Sequence, residues 1–518
     1  MKFFVAGLVL FAALAAAAPR ATVLPDGTYR YETSIAEHSA GTSTIVIRRE
    51  GGSIVIGESA SVAGVGLVSE RKIEESTYAT LSYVVDAAGK HAVVTILGSD
   101  ATLTHGKAAD KITAAADAPF VVSDNFVAAW AQVPATLRAT GEKQLTLACV
   151  CGGFIAIPIS VTSSGLGTVS LKGADGVAVT LGFDPQTYVL TRLDVPAQQA
   201  SVVLQSQEAR IMPLPSPVVP TPMPLPAAHY TSRDVSISTD DGVALAGTLT
   251  IPDDAANPMP AFVFVHGSGC IDRDETIGPN KVFAQLANDL SNDGYAVLRY
   301  DKRSCGKSGG TFAPRDRLIA DARDVIAYLR TQPGIDPARV FVLGHSEGGE
   351  LAPSIAIADG KLAGVVLLAP PAIPLEQILM QQVLRTVSPA QRPAIAEREQ
   401  TELNAVAAGQ KTGASAAWLR SSFGIDPTTL IASVPSPILI VQGEKDIQVL
   451  AADTPRLVNA AQAAHRRVSV VMLPGDDHLF IKLPAGEDST GVEYFTPAYL
   501  DPALFAAIEG WLRELPAG

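Results

Sequence analysis

At 518 residues the chain exceeds what one hydrophobic core usually fills, so two domains are expected. A hydrophobic fraction of 47% beside 18% charged residues excludes a disordered protein. The net charge of −13 excludes a nucleic-acid partner, because no basic stripe exists to displace counterions from phosphates, and with no CxxC pair or Cys/His cluster at zinc spacing no metal is expected.

Lys2 is followed by an unbroken apolar run from Phe3 to Ala18 that ends in small residues before Pro19. This reads as a secretory signal peptide over 1–18, too short for a comfortable membrane span, with an uncleaved anchor as the alternative. The mature protein is therefore expected to be secreted or periplasmic, with no stable membrane insertion.

Residues 19–211 are built from short β-branched segments such as STIVIRR, GSIVIGE, ATLSYVVD, HAVVTILG and GVAVTLGFD, separated by Gly, Asp or Asn. Helical spacing of apolar residues occurs only from Val122 to Ala139. The pattern predicts a β-rich antiparallel domain with one helix. It holds no catalytic constellation, and His38, His91 and His105 are scattered and read as structural. From Met212 to Pro226 runs MPLPSPVVPTPMPLP, which cannot donate a ladder of backbone bonds and favours extended polyproline II. A linker is placed at 212–228.

From residue 229 onward strand and helix alternate: AFVFVHG, KVFAQLANDLSNDG, YAVLRYD, RLIADARDVIAYLRT, RVFVLGH, and so on to the closing helix PALFAAIEGWLRE. Continuous apolar strands divided by amphipathic helices predict an α/β domain whose mostly parallel sheet is covered on both faces. Between residues 374 and 433 the alternation gives way to helical sequence. An insertion there would sit over the carboxyl ends of the strands as a lid.

Gly344-His345-Ser346-Glu347-Gly348 is a Gly-x-Ser-x-Gly pattern, weak by itself because the chain repeats it at Gly306-Lys307-Ser308-Gly309-Gly310. Setting separates the copies. Ser346 stands between an apolar strand and a helix, as a nucleophile elbow must, whereas Ser308 lies in a loop. A serine hydroxyl needs a base and a carboxylate that fixes the base's tautomer, in the chain order serine, acid, histidine. Of the later histidines, His465 suits a helix C-terminus, and His478 lies in the loop after VSVVMLP, where the base belongs. The acid should follow PILIVQG. There QGEKDIQV offers Glu444 and Asp446, of which Asp446 stands further out, while Asp476 and Asp477 compete only by adjacency to His478. Donors for the oxyanion are expected from the backbone N–H groups of Glu347 and, in HGSG, Ser268.

Taken in order, HGSGCIDRDE, GPNK, AVLRYDKRSCGKSGG, GHSEGGELAP, QGEKDIQV and DDHLF resemble the α/β-hydrolase superfamily. Within it the likeness is to bacterial carboxylesterases of the serine aminopeptidase-like and dienelactone hydrolase-like kinds, over residues 230–518. The resemblance implies an α/β-hydrolase fold, Ser346 as nucleophile, Asp446 as acid, His478 as base, Ser268 and Glu347 at the oxyanion, and ester hydrolysis without a cofactor. Two departures stand out: Ser304 where Gly is usual, and Cys270. If the HGSG and DKRSCGKSGG loops are neighbours, as that fold implies, Cys270 and Cys305 can form a disulfide; Cys149 with Cys151 is a weaker candidate pair.

Three functions are consistent with these residues. The first is a secreted serine esterase acting on small-molecule esters of short or medium acyl chains. The second is an aminopeptidase-like serine peptidase, with Glu376, Glu397, Glu399 and Glu402 as anchors for a peptide amine, although their spacing equally fits a solvated face. The third is a protein that mainly binds a surface or polymer through its β-rich half, with the hydrolase activity secondary or silent. The acyl group and the oligomeric state are not written in the sequence.

Overall fold

The computed structural model describes residues 22–515 apart from 36, 63, 88–89, 106–107, 114–117, 124–126, 150–154, 174–176, 219, 255–256, 386, 388, 390–391 and 412. Residues 1–18 and Cys151 thus lie outside the described residues, and with them the expected signal peptide and the second candidate disulfide. The chain divides into two compact units, one of residues up to Val62 with Gly66–Pro217, the other of Ala63–Val65 with the residues from Val218 onward.

In the first unit the described residues form a fifteen-stranded sheet. Gly27–Ile35 lies at its centre, antiparallel to His38–Glu50 on one side and to Ala200–Glu208 on the other. Ala108–Thr113 makes one edge, and Phe120–Ser123, parallel to Gln144–Cys149, makes the other. The single α-helix of this unit among the described residues, α1 (Val127–Thr140), is buried from Val127 to Thr136. It starts later than the apolar spacing predicts, because Val121 and Val122 pair with Leu147 and Ala148 as strand. The buried Glu58 carboxylate accepts the backbone N–H groups of Val127 and Ala128 at 3.2 and 3.0 Å, placing a negative charge where the helix dipole is positive.

The second unit carries an eight-stranded sheet: β1 (Tyr230–Ser238), β2 (Ala244–Pro252), β3 (Met259–Val265), β4 (Ala296–Tyr300), β5 (Ile335–His345), β6 (Gly364–Leu368), β7 (Ile438–Gly443) and β8 (Val468–Leu473). Their order is β1-β2-β4-β3-β5-β6-β7-β8, with β1, β2 and β4 meeting antiparallel and every later pair parallel. The antiparallel start was not legible as strand, because β1 opens on the exposed polar run Thr231-Ser232-Arg233-Asp234, which lacks the apolar alternation of a half-buried strand.

Alternate residues of the central strands feed two cores. Val263, Val265, Leu298, Val340 and Val342 face α3 (Arg315–Arg330), α4 (Glu347–Asp359) and α9 (Thr454–Ala463). Phe262, Phe264, Val297, Phe341 and Leu343 face α2 (Val282–Asn292) and α10 (Pro502–Glu514). With both faces covered, a strand gains nothing from polar alternation, hence the continuous apolar runs. Between β6 and β7 stand α5 (Leu375–Arg385), α6 (Arg392–Ala407), α7 (Ala414–Ser422) and α8 (Pro427–Ile431).

Candidate active site

Ser346 sits between the last residue of β5 and the first of α4, at φ 54° and ψ −118°. That region is unfavourable for a residue with a Cβ, so the surrounding backbone must hold it there. Two glycines make this possible. A Cβ on Gly344 would lie 2.1 Å from the Gly348 carbonyl oxygen, and one on Gly348 would lie 1.9 Å from that of Val265. The Ser346 N–H is tied to the Leu368 carbonyl at 2.9 Å. Chain crossing, together with a positive-φ serine, defines the turn.

On the loops after β7 and β8, His478 Nδ1 lies 2.8 Å from Asp446 Oδ2, with both side chains buried. Asp446 also accepts the backbone N–H groups of Gln448 and Val449 at 2.7 and 2.9 Å and the Gln442 amide at 2.9 Å. Burial pushes its carboxyl up, but His478 and these N–H groups outweigh that and hold it below the usual carboxylate range. With Nδ1–H donated to a carboxylate, Nε2 is the basic nitrogen of His478. Glu444, the other candidate acid, is exposed. Asp477 turns away from the ring and accepts the N–H groups of Leu479 and Ile481 at 2.8 and 2.9 Å. The second serine pattern has a different role: Ser308 Oγ donates to the Asp301 carbonyl at 2.7 Å and accepts the Ala246 N–H at 2.9 Å, closing a loop.

Ser268, Ser346 and Glu347 line one cavity of about 110 Å³. Its apolar wall comes largely from the helical insertion, with Leu375, Ile378, Leu379 and Trp418 among the residues facing it. Two carboxylates also line it, and both are matched by cations. Glu347 accepts from Lys302 Nζ at 2.8 Å and from Trp418 Nε1 at 2.6 Å, while Glu350 pairs with Arg315 at 2.7 Å. The acidic residues singled out in the insertion lie elsewhere: Glu376 accepts the Gly424 N–H, and Glu402 pairs with Lys411.

Three residues, Lys302, Trp418 and Glu275, escaped sequence reasoning, whereas the Cys270–Cys305 pair was anticipated. Lys302 Nζ donates to the Gly267 carbonyl at 2.6 Å as well as to Glu347, joining the HGSG loop to the serine turn. Trp418 bonds Glu347 across 71 residues of sequence. Glu275 accepts the Gly267 N–H at 2.7 Å and faces His345, the residue before the serine. Cys270 and Cys305 are joined in a disulfide with Cα atoms 5.4 Å apart, tying the segment after HGSG to the loop of Ser308.

Comparison with known proteins finds the following similarities. A profile of the Alpha/beta hydrolase family matches residues 262–488. Esterase EstD of Thermotoga maritima is 32% identical over 295 residues, covering 55% of this chain and 68% of EstD. Dipeptidyl aminopeptidase BIII of Pseudoxanthomonas mexicana is 25% identical over 322 residues, covering 54% of this chain and 44% of that protein. Among solved structures, Est1E of Butyrivibrio proteoclasticus with ferulic acid bound shares 18% identity over 54% of this chain and 98% of its own, at a TM-score of 0.38.

Proposed function

Because this chain belongs to the alpha/beta hydrolase family, we propose that it is a secreted serine esterase that cleaves small-molecule esters of short or medium acyl chains through Ser346, His478 and Asp446. The observation that carries this reading is Ser346 itself, held at positive φ between a buried strand and a helix and opening onto a mainly apolar cavity. A protein named an esterase as a 32% identical relative supports the same chemistry.

In this reading His478 Nε2 takes the Ser346 Oγ proton as Oγ attacks the ester carbonyl, and Asp446 stabilises the resulting imidazolium. The oxyanion accepts hydrogen bonds from the N–H groups of Ser268 and Glu347. Collapse expels the alcohol, which leaves with the proton from His478. Water, deprotonated by the same nitrogen, then attacks the acyl-enzyme and releases the carboxylic acid. Helices α5 to α8 act as a lid whose apolar side chains receive the acyl chain. The peptidase alternative, which the likeness to an aminopeptidase keeps in view, needs an anionic anchor for a peptide amine. Glu347 and Glu350, the carboxylates in the cavity, are already paired with Lys302 and Arg315.

The test is hydrolysis of p-nitrophenyl esters from acetate to decanoate by the mature protein beside its Ser346→Ala variant. Turnover confined to the unaltered protein is expected, and the preferred chain length sizes the cavity. Aminoacyl amides cleaved faster than every ester would replace this reading with the peptidase one.

A further inference from the structure

Behind the serine turn lies a buried pair that the hydrolytic steps above do not use. Glu275 is 0% and His345 1% exposed. Glu275 Oε1 stands 3.1 Å from His345 Nδ1 and also accepts the Gly267 N–H at 2.7 Å. The other ring nitrogen, Nε2, lies 2.9 Å from the backbone carbonyl oxygen of His478. A carbonyl only accepts, so Nε2 must carry a hydrogen, and the second contact requires a further proton between Nδ1 and Oε1. The Gly267 N–H aimed at Oε1 favours the charged carboxylate, which leaves that proton on Nδ1.

The contacts run to three separate loops. Gly267 precedes Ser268, His345 precedes Ser346, and the accepting carbonyl belongs to His478. From this we infer that Glu275 and His345 are positioning residues for the hydrolysis: a buried glutamate–imidazolium strut that holds the oxyanion loop, the nucleophile turn and the base loop in register. The inference rests on the esterase reading for its consequence in rate, but not for its protonation state.

Of the surrounding titratable groups, His266 from the β3 loop acts on Glu275 and Asp446 from the β7 loop on His345, the His478 ring lies 4.8 Å from that of His345, and Lys302 from the β4 loop acts on His266 and donates to the Gly267 carbonyl. Burial opposes a charge on His345, but Glu275 and the His478 carbonyl outweigh it and push the imidazole above its ordinary value. Burial likewise pushes the Glu275 carboxyl up, and His345 with the Gly267 N–H brings it below. His266 differs: burial first, then Lys302, lowers it to about 4, so it is neutral and supplies no competing proton. A histidine raised in the folded state contributes its stabilising charge fully below its unfolded value and loses it as pH rises through the raised value.

Two measurements test this on the full chain. Nitrogen NMR of 15N-histidine-labelled protein, with His345 assigned by its loss in His345→Gln, should show both ring nitrogens protonated at pH 8. In Glu275→Gln, where the counter-charge is gone, one nitrogen should be unprotonated at the same pH. The kcat for the preferred p-nitrophenyl ester should fall about 10- to 100-fold in Glu275→Gln with KM changed less than about threefold, and Glu275→Asp should recover part of the loss. A singly protonated His345 in the unaltered protein overturns the strut whatever the activity. A doubly protonated His345 with kcat unchanged in Glu275→Gln overturns its positioning role. If no ester is turned over at all, a doubly protonated His345 upholds the strut while the esterase reading falls.

Discussion

The chain writes Gly-x-Ser-x-Gly twice and folds it into two unlike objects. At Ser346 the serine carries the positive φ, and the flanking glycines are needed because strand and helix backbones cross within reach of a missing Cβ. At Ser308 the glycines carry it: Gly306 has φ 53°, and a Cβ there would lie 2.4 Å from the Asp301 carboxylate carbon. In the first copy the backbone presents a hydroxyl to a cavity. In the second the hydroxyl's proton is given to one backbone carbonyl and one lone pair to a backbone N–H, so the group is committed to closing its own loop. The lesson is that the five letters specify tightness of turn, and that the elements on either side decide which residue is strained and what it faces.

The largest expected effect separates the copies directly. Ser346→Ala should lower ester kcat by about 10⁴-fold or more, while Ser308→Ala, which loses two hydrogen bonds, should lower stability by about 1–3 kcal/mol and leave kcat within a few-fold. Chemical denaturation and steady-state kinetics on both variants check this, and comparable kcat losses would erase the distinction. Next in size is the acid. Asp446→Asn should cost about 10²- to 10⁴-fold in kcat, because the amide supports the wrong imidazole tautomer, whereas Glu444→Gln on the same loop should be near neutral.

A smaller effect tests whether the Ser308 loop supports the Ser346 turn. The Cys270–Cys305 bridge spans 35 residues and joins the two loops, so Cys305→Ser should lower unfolding stability by about 3–4 kcal/mol while the ester kcat at 25 °C stays within about fivefold. The smallest effect concerns pH. Burial pushes the Asp477 carboxyl up to about 7, so this group favours the fold fully below about pH 4, its unfolded value, and loses that contribution as pH rises through about 7. Asp477→Asn should therefore flatten the decline in Tm between pH 5 and 8 by a few degrees, read by calorimetry.

Local chemistry was legible in the sequence and distant pairing was not. Ser346, His478 and Asp446 each stand just after an apolar strand, and the order of those strands is enough to suggest that their loops meet. The α/β architecture was equally readable, because strands buried on both faces leave runs that no amphipathic pattern interrupts. The antiparallel entry through β1 was missed because its exposed residues Thr231 to Asp234 are all polar and read as loop. Glu275, Lys302 and Trp418 stayed silent for another reason: their partners lie 70, 45 and 71 residues away, and nothing near them in the chain announces a buried charge awaiting its match. His345 was visible only as the variable letter of a motif.

The measurement that bears most directly on the central claim is labelling of the full chain with a fluorophosphonate, followed by peptide mapping by mass spectrometry. One adduct per chain is expected, on Ser346, and none in the Asp446→Asn variant over the same time. An adduct on Ser308, or no adduct on Ser346 in folded protein, would contradict it.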